Sequence, residues 1–274
     1  MSFHDGRPLP NDPVYLRDQQ YASPANLDAR IALHQNFSTN HYGWMRWVFD
    51  HFETLPATAR ILELGCGPGT LWQENLARVP VGWTITLSDF SPGMLNQAQQ
   101  QLAGSALGFN FGLVDIQDIP YASASFDAVI ANHMLYHAAD RQRAIAEVRR
   151  VQRPGGIFFA ATNGARHMQE LVDLCDRFDP SLDLFRASMA ESFSLENGAA
   201  QLAQSFANVA LGQYEDGLNV TEVEPLVRYV DSTAHMDALL SERFRRYAQR
   251  QLDANHGVLH IHKVSGLFRA WSNG

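Results

Sequence analysis

The chain has 274 residues, with 21 lysines and arginines against 29 aspartates and glutamates, so its formal net charge is −8, a balance that argues against a surface built to grip nucleic-acid phosphates. Two cysteines, Cys66 and Cys175, cannot build a thiolate metal cage or a disulfide framework and read as free thiols of a reducing compartment. No run approaches the roughly 18 apolar residues of a membrane span, and the opening Met1 to Asn11 lacks the apolar core of a secretory signal, so a cytoplasmic protein that binds no membrane is expected.

In chain order, Leu27, Ile31 and His34 have helical spacing, and Trp44, Trp47, Val48 and Phe52 outline a second amphipathic helix. Residues 1–55 therefore read as a helical lid segment rich in aromatic rings. Within it Tyr15, Tyr21, Arg30, His34 and Trp44 are candidates to close over a ligand. Arg30 and His34 lie four apart on one helix face, either as a joint grip on a carboxylate or as a surface pair.

Short β-rich runs follow at Arg60 to Gly65, Thr84 to Asp89, Phe109 to Asp115, Phe126 to Asn132 and Ile157 to Thr162, with helical patterns at Pro92 to Leu102 and Arg141 to Val151. Strands alternating with helices predict an α/β fold with a doubly wound, mostly parallel sheet, its core spanning 56–163. Residues 164–204 read as a helical cap insertion, with apolar positions Met168, Leu171, Val172, Cys175, Phe178, Phe185, Met189 and Phe193. Residues 205–274 return to strand-like text at Phe206 to Tyr214 and Val258 to Ala270, with helices between, and complete the sheet of one structural domain. The single lysine, Lys263, reads as a strand end and is a poor candidate for a Schiff base. The arginines 243, 245, 246 and 250 read as a solvated helix face.

The most informative stretch is Ile61-Leu62-Glu63-Leu64-Gly65-Cys66-Gly67-Pro68-Gly69-Thr70, an apolar strand running into three glycines at alternate positions. Glycine lets backbone approach a ligand closely and tolerates positive φ. A dinucleotide fingerprint needs its third glycine where Thr70 stands, and no Gly-Lys-Ser/Thr follows for a phosphate loop.

Glu63 followed by Gly65, Gly67 and Gly69 resembles the first motif of class I S-adenosylmethionine-dependent methyltransferases, of the small-molecule, ubiquinone-biosynthesis-like group. The likeness is clear over about 58–163 and looser elsewhere. It implies a Rossmann-like seven-stranded sheet, S-adenosyl-L-methionine as cofactor, and a row of contacts. In that row Glu63, Gly65, Cys66, Gly67 and Gly69 form the loop. Asp89, with Phe90 beside it, offers two acceptor oxygens suited to ribose hydroxyls and equally opens a helix as a cap. Met94 matches a position packed on adenine and also suits a plain core. Asp115 and Ile116 match the adenine pair, and Phe126 to Asn132 matches the strand that ends beside the transferred methyl. Arg153-Pro154-Gly155-Gly156 reads as a topological turn before the fifth strand.

Because the methyl of a sulfonium is already electrophilic, such an enzyme mainly holds a nucleophile in line and excludes water. A histidine with a pKa near neutrality suits any proton transfer. His133 and His137, after Asn132 in Asn132-His133-Met134-Leu135-Tyr136-His137, are the pocket and catalytic candidates. The expected activity is methyl transfer to a small-molecule acceptor. A non-catalytic S-adenosylmethionine-binding sensor or partner subunit is the alternative, and protein or nucleic-acid methylation is less favoured. No metal ligand set is expected, and a homodimer stays open.

Overall fold

The computed structural model describes residues 3–4, 7–8, 25–182, 192–234 and 236–272. The sheet comprises β1 (Arg60–Leu64), β2 (Thr84–Asp89), β3 (Phe109–Leu113), β4 (Phe126–Asn132), β5 (Gln152–Asn163), β6 (Asn208–Val220) and β7 (Leu259–Trp271). Their order across the sheet is β3-β2-β1-β4-β5-β7-β6. The first five strands pair in parallel, while β7 runs antiparallel between β5 and β6. The sheet order reverses direction at β1, where a crevice opens beyond the strand carboxyl ends.

Helices cover both faces, so the central strands are apolar on both sides and need no polar alternation. Leu62, Val129 and Phe158 point to one face, where α5 (Arg141–Val151) brings Ile145 and Val148. Their neighbours Ile61, Ile130 and Phe159 point to the other, against α2 (Trp44–Asp50) and α4 (Pro92–Gln101). Pro92 sits in the first turn of α4, and Ser91 caps it by accepting from the Met94 amide at 3.3 Å. Asp140 caps α5 through the Arg143 amide at 2.9 Å.

A third core lies off the end of the sheet. Strands β6 and β7 pair from Asn208↔Trp271 to Val220↔Leu259, yet β5 accompanies β7 only from Ser265 to Trp271. The overhanging hairpin supplies Leu218 and Ile261 to a cluster with Leu33 of α1 (Ala25–Phe37) and Leu171 and Cys175 of α6 (Gln169–Phe178). Leu226 of α8 (Val223–Ala234) and Phe244 of α9 (Ala238–Ala254) complete it. The cap is thus drawn from separate stretches of chain, including two C-terminal helices that the sequence pattern assigned only to completing the sheet.

Three further expectations need correction. Phe193 packs with Leu202 and Phe268 against the sheet rather than in the cap core that holds Met168 and Leu171; Phe185 and Met189 lie outside the described residues. The Arg153 to Gly156 turn is a bulge inside β5, because Phe126 pairs with Gln152 while Ala128 pairs with Ile157, with Gly155 at φ 72. Lys263 is not a strand end; it stands within β7 opposite Asp216.

Candidate active site

The loop after β1 is shaped by three left-handed glycines, Gly65 at φ 68, Gly67 at φ 53 and Gly69 at φ 82. A residue with a Cβ pays roughly 1–2 kcal/mol in that region. At Gly65 a Cβ would also stand 2.8 Å from the Met134 side chain, so the loop and the segment after β4 pack where only glycine fits. The Gly69 amide donates to the Cys66 carbonyl at 3.0 Å, and the Cys66 amide to the Ser88 carbonyl at 2.8 Å. Across the crevice Asp89 ends β2; its Oδ2 accepts from the Gly67 amide at 2.9 Å and its Oδ1 from the Ser91 amide at 2.8 Å.

The two acids of this loop are poorly compensated. Glu63 is buried, accepts from Trp72 Nε1 at 2.6 Å, and is pushed up to about 7 by burial, against that hydrogen bond, with the Asp89 charge adding to the rise. Burial likewise raises Asp89 despite its backbone donors. Among the described residues neither carboxyl forms an ion pair. The buried Cys66 thiol is raised well above its usual range by burial and by these two acids, which makes it inert rather than nucleophilic.

Around this loop, Met94 is buried and Phe90 half-buried. Asp115 Oδ1 accepts from the Gln117 amide at 2.8 Å, and Ile116 is buried. Asn132 Oδ1 accepts from Trp44 Nε1 at 3.2 Å. His137 lies in a 3-10 turn (Leu135–His137) with its ring edge-on to Tyr136 at 4.6 Å. His133 adopts φ 55, in the left-handed region that costs a non-glycine residue some strain, and its ring lies 5.0 Å from that of Trp44. Tyr15 and Tyr21 lie outside the described residues. The Arg30 guanidinium donates to the Ser232 carbonyl at 3.0 Å.

Beyond Trp44 the structure assembles a polar group that sequence reasoning missed. His34 approaches His167, with ring centroids 6.5 Å apart, and meets Tyr229 edge-on at 5.9 Å. The Lys263 charge bears on His34, His133 and His167, and its ammonium bonds Asp216 Oδ2 at 2.5 Å. Burial first, and Lys263 second, pushes His34 down to about 3 and His133 down to about 4. His167 falls well below its usual range, mainly through burial. All three rings are therefore neutral near pH 7. The available signal was period two: Tyr214, Asp216 and Leu218 share one face of β6, and Ile261, Lys263 and Ser265 the facing positions of β7. Opposite charges at matching inward positions mark a buried pair.

Comparison with known proteins agrees with this architecture. Residues 62–160 match a family described as methyltransferase domain. The malonyl-[acyl-carrier protein] O-methyltransferase of Serratia marcescens is 32% identical over 123 residues, 44% of this chain and 44% of that protein. The ubiquinone/menaquinone biosynthesis C-methyltransferase UbiE of Geotalea daltonii is 32% identical over 115 residues, 41% of this chain and 48% of its own. The matches thus span about half the length of these curated relatives. Among solved structures, phosphoethanolamine N-methyltransferase 2 of Haemonchus contortus, in complex with S-adenosyl-L-methionine, superposes with a TM-score of 0.61 at 15% identity, over 97% of this chain and 61% of that one, a likeness of fold. Among the described residues no helix is long and apolar enough to cross a membrane. Residues 62–160 thus resemble a methyltransferase domain, and the sheet that carries them has the fold of S-adenosylmethionine-dependent methyltransferases.

Proposed function

We propose that the chain transfers the methyl group of S-adenosyl-L-methionine to a small-molecule acceptor by in-line displacement. The observation that carries this reading is the glycine loop at positive φ facing two uncompensated carboxyls, Glu63 and Asp89. Buried acids without a counter-charge fit a ligand that brings positive charge, and the cofactor carries a sulfonium and an ammonium. When bound, it supplies an electrophilic methyl.

In this reading the residues divide by role. Gly65, Cys66, Gly67 and Gly69 present backbone to the ligand, with Glu63 beneath. Asp89, beside Phe90, receives the ribose hydroxyls, and Met94, Asp115 and Ile116 address the adenine. Asn132, His133 and His137 stand on the acceptor side, with Trp44 excluding water. His133 is neutral near pH 7 and so able to accept a proton, and burial, which holds it at about 4, makes it a weak base that suits an acceptor whose proton becomes acidic as the methyl is transferred. The lid of 1–55 and the cap of 164–204 would close over both ligands.

Calorimetric titration with S-adenosylmethionine and S-adenosylhomocysteine, with NADH as control, tests the premise. Binding of both sulfur ligands and silence from NADH is the expected result, followed by turnover in a panel of acceptors. NADH binding in competition with S-adenosylmethionine would overturn the reading. Tight cofactor binding without turnover across the panel would favour a sensor or an inactive subunit.

A further inference from the structure

The polar group beyond Trp44 has an unusual charge balance. Lys263 is the sole lysine of the chain, and its side chain is only 10% exposed. Its bond to Asp216 uses one of three ammonium protons. Asp216 Oδ1 is already occupied by Ser38 Oγ at 2.7 Å, the Gly217 amide at 2.8 Å and the Asn40 amide at 3.0 Å, so that carboxylate is anchored to backbone rather than offered to a ligand.

Facing this pair are three imidazoles. The Nδ1 of His167 is taken up by the Val264 backbone at 3.1 Å, and the Nδ1 of His34 is buried without a partner. Their Nε2 atoms, and both ring nitrogens of His133, have no partner among the described residues and are not closed off. All three histidines are half-buried residues, and of their ring nitrogens only Nδ1 of His34 is both buried and without a partner, so the space they share with Lys263 is not a sealed core. Trp44, Trp47 and Tyr214 wall it, with ring centroids 5.2 to 5.4 Å apart. The recess adjoins the glycine loop, because Met134, next to His133, lies over Gly65.

We propose that this recess receives an anionic group of the methyl acceptor, a carboxylate or a phosphate, held by Lys263 and the Nε2 atoms of His34 and His167 beside an aromatic wall. The assignment rests on the methyltransferase reading for the word acceptor, while the anion site stands on its own geometry. Lys263 and Asp216 balance in charge and the three rings are neutral near pH 7, but Asp216 is saturated and Lys263 keeps two ammonium protons without an acceptor among the described residues. An anionic oxygen meets those protons through charge-assisted bonds, which are stronger than those to a neutral oxygen, and a cation has no lone pair to offer them. The groups that face His34 are Lys263, Asp216, His133 and His167, with Tyr229 packed on its ring, and an anion among them favours protonation of the histidines. Binding is then accompanied by proton uptake.

The test is calorimetry on the full chain saturated with S-adenosylhomocysteine, whose own binding checks the methyltransferase reading separately. The probes are benzoate, phenyl phosphate, benzyl alcohol and benzylamine, each in two buffers of different ionisation enthalpy near pH 7. At least one anion should bind about tenfold or more tightly than the alcohol and the amine, and take up protons. Whichever of benzoate and phenyl phosphate binds more tightly identifies the group. His34→Gln should remove much of the proton uptake. The pair Lys263→Met with Asp216→Asn, which leaves no buried charge uncompensated, should weaken the anion about tenfold and leave S-adenosylhomocysteine affinity within about twofold. Equal binding of benzyl alcohol, silence from every probe at about 10 mM, or an unchanged anion affinity in the double variant would overturn the site.

Discussion

The Gly67 amide donates to Asp89 Oδ2 at 2.9 Å, so the middle glycine of the loop and the acid at the end of the neighbouring strand are one unit. Asp89 fixes the loop before any ligand arrives. Its replacement by alanine should therefore act twice, through lost ligand contacts and through a looser loop. Charge-assisted hydrogen bonds of this kind are worth about 1.5–3 kcal/mol, which is roughly 10- to 150-fold in the affinity for S-adenosylhomocysteine. Calorimetry on Asp89→Ala checks this, and unchanged affinity would refute the role given to Asp89.

Gly65→Ala should damage the same unit from the other side. The new Cβ would meet Met134 at 2.8 Å and sit at φ 68, costing about 1–3 kcal/mol of stability. Thermal unfolding should show the loss. Adding Met134→Gly, which removes both the Cβ and the Cγ that the new methyl would meet at 2.8 Å, should return part of it, leaving the backbone cost in place. If the double variant recovers nothing, the close approach is not the cause.

The pH dependence of stability sets buried acid against buried bases. Glu63, held at about 7 against a usual 4.5, contributes stability that is complete below 4.5 and is lost as pH rises through 7. His34 and His133, near 3 and 4 against 6.5, act in the opposite sense. Their contribution is complete above 6.5 and is lost as pH falls toward 4. Between pH 6.5 and 4.5 the histidines outnumber the glutamate, so their loss should exceed its gain. Glu63→Gln should steepen the fall of Tm over that interval, and His34→Gln should flatten it. Reversed slopes in the two variants would show that these groups are not held as described.

The central sheet was legible because burial on both faces writes each strand as a local apolar run. Thr84 to Asp89 and Phe126 to Asn132 form strands with those bounds, and Asp89 stands at a strand end, where it meets the Gly67 amide. The cap was less legible. Its core joins Leu33, Leu171, Leu226 and Phe244, whose partners are set by how far the β6–β7 hairpin overhangs β5. That distance is a property of pairing across the chain, not of any window of sequence. The recess suffered most: Asp216 and Lys263 are 47 positions apart, and each alone reads as an ordinary charged residue. His133 was legible by its place after β4, but its strained backbone was not.

That strain makes His133 a direct test of the chemistry. At φ 55 most substitutions combine a lost side chain with a backbone cost, which obscures the result. Asparagine tolerates the left-handed region better than most residues, so His133→Asn should leave the fold and S-adenosylhomocysteine affinity nearly intact while removing the imidazole. If the neutral ring takes the acceptor proton, kcat should fall by about 10²–10⁴, and the acidic limb of the pH profile assigned to it should vanish. The affinity for the acceptor should change little, since Lys263, His34 and His167 hold the other end. A variant with raised KM and unchanged kcat would instead make His133 part of the binding wall that Trp44 builds at 5.0 Å, and the acceptor would then lose its proton to solvent or arrive without one.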